Sequence, residues 1–350
     1  MSKGEYRGVI VGLTGIGARR PPEEENLPVY GAMPTSHASA YYRCPQTELV
    51  GVCDLREEAL ADFKTNWGDV WPKMHYYTDY REMLETEKPD LLSVATSDHL
   101  HADIVVTAAE GGVPAILCEK PLATTLADAD RMIAAAEAEG TLLSVDHSRR
   151  WYPHYLRARE IVRSGEIGPL RTVGCEMFGL RSMLFRNGTH ALDTVCFFAE
   201  GDPGWLVAEL EEGFEHFTEY QGGGGKDAAS DPYASAYIRF ENGVRAFYNS
   251  FKTAFSGWRF VLTCEEGRVE ATDTSARLIR GASFETTEIV PGNYMIQEKG
   301  AMVAELAYVL ENGGELVSPA REARKTLEII LGILKSHHGG NRRVDFPLVV

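Results

Sequence analysis

Short apolar runs punctuate the first half of the chain, at 8–13 (GVIVGL), 48–53 (ELVGVC), 91–95 (LLSVA), 115–118 (AILC) and 141–145 (TLLSV), each bounded by polar residues or glycine. Between several of them lie stretches with helical character, at 56–66, 100–110 and 125–139. Runs that are apolar throughout and separated by helices fit strands buried on both faces of a parallel sheet. The pattern predicts an α/β domain over residues 1–148, a doubly wound Rossmann-type sheet.

After residue 170 the pattern changes. TVGCEMFGL, WLVAELEE, ASAYIRF, VRAFYNSF, RFVLTCE and RVEATD read as strands, several with alternating polar and apolar positions. Glu241-Asn242-Gly243 and Glu265-Glu266-Gly267 supply hairpin turns. Helices are expected near 151–164, 188–200, 301–311 and 320–336. Residues 149–350 are therefore expected to form an α+β domain with a large, mostly antiparallel sheet that binds substrate and mediates oligomerisation. Gly222–Gly225 reads as a mobile loop, since no helix start follows to make it a phosphate cradle. Glu23–Glu25, in a Pro-rich stretch, reads as a solvated loop.

Composition narrows the function classes. The 350 residues, 44% hydrophobic and 25% charged, suffice for two cores. No apolar run reaches the roughly 18 residues of a membrane span, and the N-terminus lacks the apolar core of a signal peptide. The formal charge of −16 argues against a nucleic-acid partner. The 6 cysteines form no C-x-x-C pair and mostly sit in apolar runs, which suits buried reduced thiols and a cytoplasmic location. No metal site is expected; His337-His338 has no acidic residue at ligand spacing.

Two stretches carry candidate chemistry. In VIVGLTGIGA a strand runs into Gly12-x-x-Gly15-x-Gly17, a variant of the dinucleotide turn in which Thr14 takes the place of the middle glycine. Such a turn brings backbone N–H groups, here from Gly12 to Gly17 through Thr14 and Ile16, close to a pyrophosphate. The next strand ends in Asp54, suited to the adenosine ribose hydroxyls, and removing an apparent insertion at 18–36 restores the spacing of about 20 residues. That insertion either covers the cofactor and substrate region or is a surface loop. Asp54 favours NAD over NADP by repelling a 2′-phosphate; Arg56 keeps NADP open as the alternative. Downstream, Thr96, Ser97, His99 and His101 follow one strand and Glu119-Lys120-Pro121 the next, both at C-terminal strand ends where open α/β sheets bind ligands. Lys120 could exchange a proton with a substrate oxygen if burial or a positive ring lowers its pKa, with Glu119 holding its ammonium.

These motifs, with HASAYYRCPQTELVGVCD, SRRW, RSGEIGPL, GTHALD and the closing KSHHGGNRRVDFPL, resemble the Gfo/Idh/MocA oxidoreductases, the glucose-fructose oxidoreductase and inositol dehydrogenase-like family. The resemblance runs nearly end to end. It implies NAD(P) and hydride transfer on a secondary hydroxyl or ketone of a sugar, polyol or glycoside. It also implies a homodimer or homotetramer assembled through the C-terminal sheet. Lys120 would be the lysine of the family's EKP motif, and Arg149 would meet the cofactor near its nicotinamide end. The family's D-x-G-x-H stretch reads Arg186-Asn187-Gly188-Thr189-His190 here, so Arg186 replaces the aspartate. On a helix from 188, Ala191, Leu192, Val195, Cys196 and Ala199 would face inward, with His190, Asp193 and Thr194 opposite. Lys120 and His190 are thus the expected acid/base groups, with Asp193 orienting His190. Trp151, Arg186, Asn187 and Asp193 are expected at the substrate; Arg186 either neutralises an anionic group or caps its loop. Redox-neutral oxidation–elimination of a glycoside, or a non-catalytic NAD- or sugar-sensing role, are the alternatives.

Overall fold

The computed structural model describes residues 6–21, 35–223, 227–281, 285–291 and 298–349. The chain divides into two compact units, Met1–Asp146 with Met295–Arg321, and His147–Tyr294 with Glu322–Val350.

The first unit contains β1 (Tyr6–Val11), α1 (His37–Arg43), β2 (Thr47–Cys53), α2 (Glu57–Trp67), β3 (His75–Tyr77), α3 (Tyr80–Glu87), β4 (Leu91–Val94), α4 (His101–Glu110), β5 (Ala115–Cys118), α5 (Leu126–Glu139) and β6 (Leu142–Val145). Its six strands are parallel, in the order β3-β2-β1-β4-β5-β6. This is the doubly wound arrangement, whose order reverses between β1 and β4. The predicted strands are buried because every position of β4 and β5, and Val9–Val11 of β1, meets apolar neighbours on both faces. The sequence pattern did not reveal β3 and α3. β3 is a three-residue edge strand with exposed and half-buried polar-aromatic positions, so no apolar run marks it.

The second unit holds α6 (Pro153–Ser164), β7 (Leu170–Phe178), α7 (Thr189–Ala199), β8 (Pro203–Leu210), β9 (Ala234–Phe240), β10 (Arg245–Phe251), β11 (Gly257–Cys264), β12 (Gly267–Ala271), β13 (Ala276–Arg280) and β14 (Glu285–Glu288). The chain then adds α8 (Glu298–Asn312) to the first unit, where α8 packs on α1, β5 and β6 through buried Met302, Val303 and Leu306. A single uninterrupted range of 149–350 therefore does not describe the second unit. α9 (Ala320–His338) and β15 (Val344–Asp345) close the chain. The large sheet runs β14-β13-β12-β11-β7-β10-β9-β8-β15 and is antiparallel except where β7 lies parallel to β10. β9 and β10 alternate strictly, with Ala236, Ile238, Ala246 and Tyr248 on the buried face. Gly243, at φ 95°, closes their hairpin as expected. Residues 224–226 of the glycine loop and Glu23–Glu25 fall outside the described residues.

Candidate active site

β1 delivers the chain to a glycine turn whose shape depends on two missing side chains. Gly12 has φ 95°, and a Cβ there would lie 2.5 Å from the carbonyl oxygen of Ala95. A Cβ on Gly17 would lie 2.0 Å from the oxygen of Gly12. Both glycines are therefore required by close backbone packing. Gly15, at φ 46°, has open space beside it, and Thr14, Gly15 and Ile16 are exposed. No helix follows at once. α1 begins at His37, yet the His37 and Ala38 N–H groups donate to the carbonyls of Ile16 and Gly17, at 2.9 and 3.0 Å. The helix thus resumes on the turn as though the insertion were absent. Ser36 caps α1, and its hydroxyl donates to Arg19 O at 2.5 Å, drawing the ends of the insertion together. Residues 22–34 of the insertion lie outside the described residues.

Asp54 follows β2 directly. Its Oδ2 accepts the Leu13 N–H at 3.0 Å, and its Oδ1 accepts the Arg56 N–H at 3.0 Å. The Arg56 guanidinium lies 3.2 Å from both oxygens. Burial raises the carboxyl pKa, but these hydrogen bonds and the Arg56 charge outweigh it and hold Asp54 below the usual carboxylate range.

The turn after β4 exposes Ser97 and His99 and half-buries Thr96. His101 departs from expectation: it is fully buried, with Nδ1 3.0 Å from Pro121 O and Nε2 3.4 Å from Thr96 O. It braces the β4 and β5 loops against each other, and its ring is turned to main-chain carbonyls. Lys120, just beyond β5, is only 8% exposed. Glu119 engages both its own loop and the first turn of α1. Its Oε2 accepts the Lys120 backbone N–H at 3.3 Å and its Oε1 lies 3.2 Å from His37 Nε2. Asp146, at the end of β6, has Oδ2 3.9 Å from the same nitrogen. Ligand-type atoms of His37, Glu119 and Asp146 all lie within 4.8 Å of one another, the one such trio among the described residues. The sequence reading missed it, although His37 opens α1 and Asp146 ends a parallel strand, both at the sheet edge where ligands bind.

In the second unit α7 is buried on nearly every side. Asp193 and Thr194, expected on the polar face opposite the apolar one, are themselves buried. Asp193 accepts a two-pronged pair of bonds from Arg150, at 2.8 and 2.9 Å, lies 3.1 Å from His147 Nδ1 and accepts from Thr326 at 3.3 Å. Burial opposes its ionisation, but the Arg150 charge, with the neighbouring His147 ring, prevails and holds it far below the usual range. Asp193 is thus committed to that network, which leaves it unsuited to contact substrate. Half-buried His190 stands in the first turn of α7, its ring 5.8 Å from that of His147. Arg186 and Asn187 belong to the preceding 184–188 turn, where Asp231 accepts the N–H groups of Phe185 and Arg186 at 2.9 and 3.1 Å. Arg149 is bound by Asp273 at 2.8 and 3.1 Å, and its guanidinium sits 3.5 Å from the Trp258 ring centre. Trp151 is buried, 6% exposed, in the short turn before α6.

Comparison with known proteins decides the family. A family model described as "Oxidoreductase family, NAD-binding Rossmann fold" matches residues 29–147, and one described as "GFO/IDH/MocA C-terminal domain" matches 155–270. The chain belongs to the GFO/IDH/MocA oxidoreductase family. Curated members similar to it include D-apiose dehydrogenase of Paraburkholderia graminis, 36% identical over 39% of this chain and 36% of that protein. Myo-inositol 2-dehydrogenase of Thermotoga maritima is 30% identical over 39% and 40%. The matched segment thus spans well under half of those relatives. Aldose-aldose oxidoreductase from Caulobacter crescentus, solved with glycerol, shares the fold with a TM-score of 0.77 at 20% identity, covering 98% of this chain and 100% of that one.

NAD, the cofactor of the GFO/IDH/MocA family, fits the residues present. The exposed main chain of Thr14–Ile16, between two glycines whose Cβ atoms would collide with backbone, suits a pyrophosphate. Asp54 offers an ionised carboxylate to the ribose, and the Thr96–Ser97 turn lies beside β1 where the strand order reverses.

Proposed function

We propose that this chain is an NAD-dependent dehydrogenase or reductase acting on a secondary hydroxyl or ketone of a sugar, polyol or glycoside. One observation carries the reading. The glycine turn, Asp54 and the buried Lys120 all leave the same edge of one parallel sheet, after β1, β2 and β5. Bound NAD would take the hydride from the alcohol carbon. Lys120, as the neutral amine, takes the hydroxyl proton while the carbonyl forms, and returns it in the reverse direction. His190 is the second proton-handling group we assign. The Asp54–Arg56 pair selects NAD: the carboxylate receives the ribose hydroxyls, and Arg56 is already engaged by it. The acid/base substitution is the decisive test. Lys120→Ala should still bind NAD in a fluorescence titration while losing at least about 100-fold in turnover. The assay is NADH formation at 340 nm across a sugar and polyol panel. Net NADH separates dehydrogenation from redox-neutral cleavage and from binding without turnover; full turnover by Lys120→Ala would remove the lysine from the mechanism.

Two further assignments belong to this reading. The 6 cysteines are buried free thiols, which fits a reducing cytoplasm. Among the described residues no helix is long and apolar enough to cross a membrane. The outer face of the nine-stranded sheet pairs with a second copy of the chain, supported by the apolar row that crosses its central strands.

A further inference from the structure

His37, Glu119 and Asp146 are three ionisable residues in the interior, at 0%, 6% and 1% exposure. An apolar trio of similar volume would serve the core as well, because burying charged groups costs several kcal/mol that their attraction only partly repays. What the polar trio adds is orientation. His37 is held by its own main chain, whose N–H donates to Ile16 O in the glycine turn. Asp146 is fixed by its N–H bond to Cys118 O at 2.8 Å, and Glu119 by its N–H bond to Val94 O at 2.9 Å. From these anchored positions His37 Nε2 lies 3.2 Å from Glu119 Oε1, with Asp146 Oδ2 3.9 Å from the same nitrogen. The remaining Glu119 oxygen is thereby turned onto the Lys120 N–H.

We propose that His37 is a positioning residue for Lys120: with Asp146 beside it, it fixes Glu119, and Glu119 fixes the main chain that presents the lysine amine. Through Ile16, the same histidine ties the cofactor turn to the lysine loop. This inference rests on the assignment of Lys120 above, and its test is built to fail separately. Full-length wild type, His37→Leu and His37→Gln are compared by two readouts. The first is site-resolved amine labelling of Lys120 by mass spectrometry, with Lys64 and Lys325 as internal references, which needs no substrate. The second is kcat, KM and NAD affinity on the best substrate of the panel.

Leucine removes the donor; glutamine restores one at a similar reach. His37→Leu should label Lys120 faster than wild type while the reference lysines are unchanged. Its kcat should fall about 100-fold, the typical result of misplacing a reacting group by about 1 Å, with KM and NAD affinity unchanged. His37→Gln should recover most of both losses. If leucine unfolds the chain, His37→Ala, which also lacks a donor, takes its place in both readouts with the same expected and overturning results. The proposal is overturned if His37→Leu folds with wild-type labelling, if a folded His37→Gln behaves like leucine, or if kcat and NAD affinity fall together. Stoichiometric divalent metal in the purified protein, lost in His37→Leu, would also overturn it, since the trio would then be a ligand set. Absence of turnover in wild type with altered labelling in His37→Leu would sink the enzyme reading and leave the positioning intact.

Discussion

Asp231 shows how one buried carboxyl couples local geometry to pH. It is 1% exposed; its Oδ2 accepts the N–H groups that open the 184–188 turn, and its Oδ1 has no hydrogen-bond partner. Burial pushes its pKa up to about 7, against those two bonds and the charge of Lys252, whose own ammonium bonds Glu211 and the Ala228 carbonyl at 2.5 Å. The folded chain therefore keeps a proton that the unfolded chain, with an ordinary carboxyl pKa of 3.8, gives up. Below about pH 4 the two states bind that proton equally. Between about pH 4 and 7 the unfolded state alone has lost it, so stability falls as pH rises, by up to about 4 kcal/mol, and then levels off. Glu305, also pushed up to about 7 by burial, contributes with the same sign. Asp231→Asn keeps an oxygen for the two N–H groups and removes the charge. It should match wild type in urea unfolding near pH 4, exceed it in stability at pH 8, and show a shallower pH dependence. A variant weaker than wild type at pH 8 would mean that the ionised carboxylate stabilises the turn.

At the scale of elements, the β1 turn shows how little of a glycine's meaning lies in the spacing alone. Gly12→Ala would force a Cβ against the Ala95 carbonyl, which as backbone cannot swing aside, and would strain a φ of 95°. It should cost about 1–3 kcal/mol in thermal unfolding and sharply weaken NAD binding. Gly15→Ala has open space and should cost about 1 kcal/mol, the left-handed penalty alone; equal effects of the two changes would refute the packing account. The same contrast runs through the fold. β4 and β5 were legible because a strand buried on both faces reads as a near-continuous apolar run, broken in β4 only by Ser93, which bonds the Tyr41 hydroxyl. β9 and β10 were legible because one buried face imposes alternation. β3, β13, β14 and β15 were not, being short and near sheet edges, where polar residues are tolerated. The helical period located α8 to within a few residues but carries no information about which core it joins. Among candidate site residues, the positions of Asp54 and Lys120 just beyond strand ends were legible, because an apolar run marks where each strand stops. Asp193 was misread because helical spacing separates polar from apolar positions, whereas Arg150 and His147 allow a carboxylate to be buried. His37 and Asp146 meet only through the sheet, so no local spacing links them.

For the whole molecule, the outer face of the large sheet bears on assembly. Strand register aligns Val207, Tyr237, Phe247, Gly174 and Val261 side by side across β8, β9, β10, β7 and β11. Tyr237 and Phe247 have ring centres 5.3 Å apart, Trp205 adds a third ring 5.3 Å from Tyr237, and Phe247 is 50% exposed. An apolar row spanning five strands marks an interaction surface more readily than scattered exposed residues do. A sheet face can match its own two-fold copy, and the next row, with the Arg259–Glu176 pair at 2.8 Å, supplies a polar rim. The net charge of −16 opposes such pairing, so the apolar contact would have to outweigh like-charge repulsion that salt screens. Light scattering on wild type should therefore give at least twice 38.7 kDa, with association strengthening as salt rises. Phe247→Glu would place a carboxylate in the centre of the row and should give monomers that keep wild-type thermal stability and NAD affinity. A Phe247→Glu chain that assembles like wild type would exclude this face. Assembly that weakens as salt rises would assign it to ion pairs in place of the aromatic row.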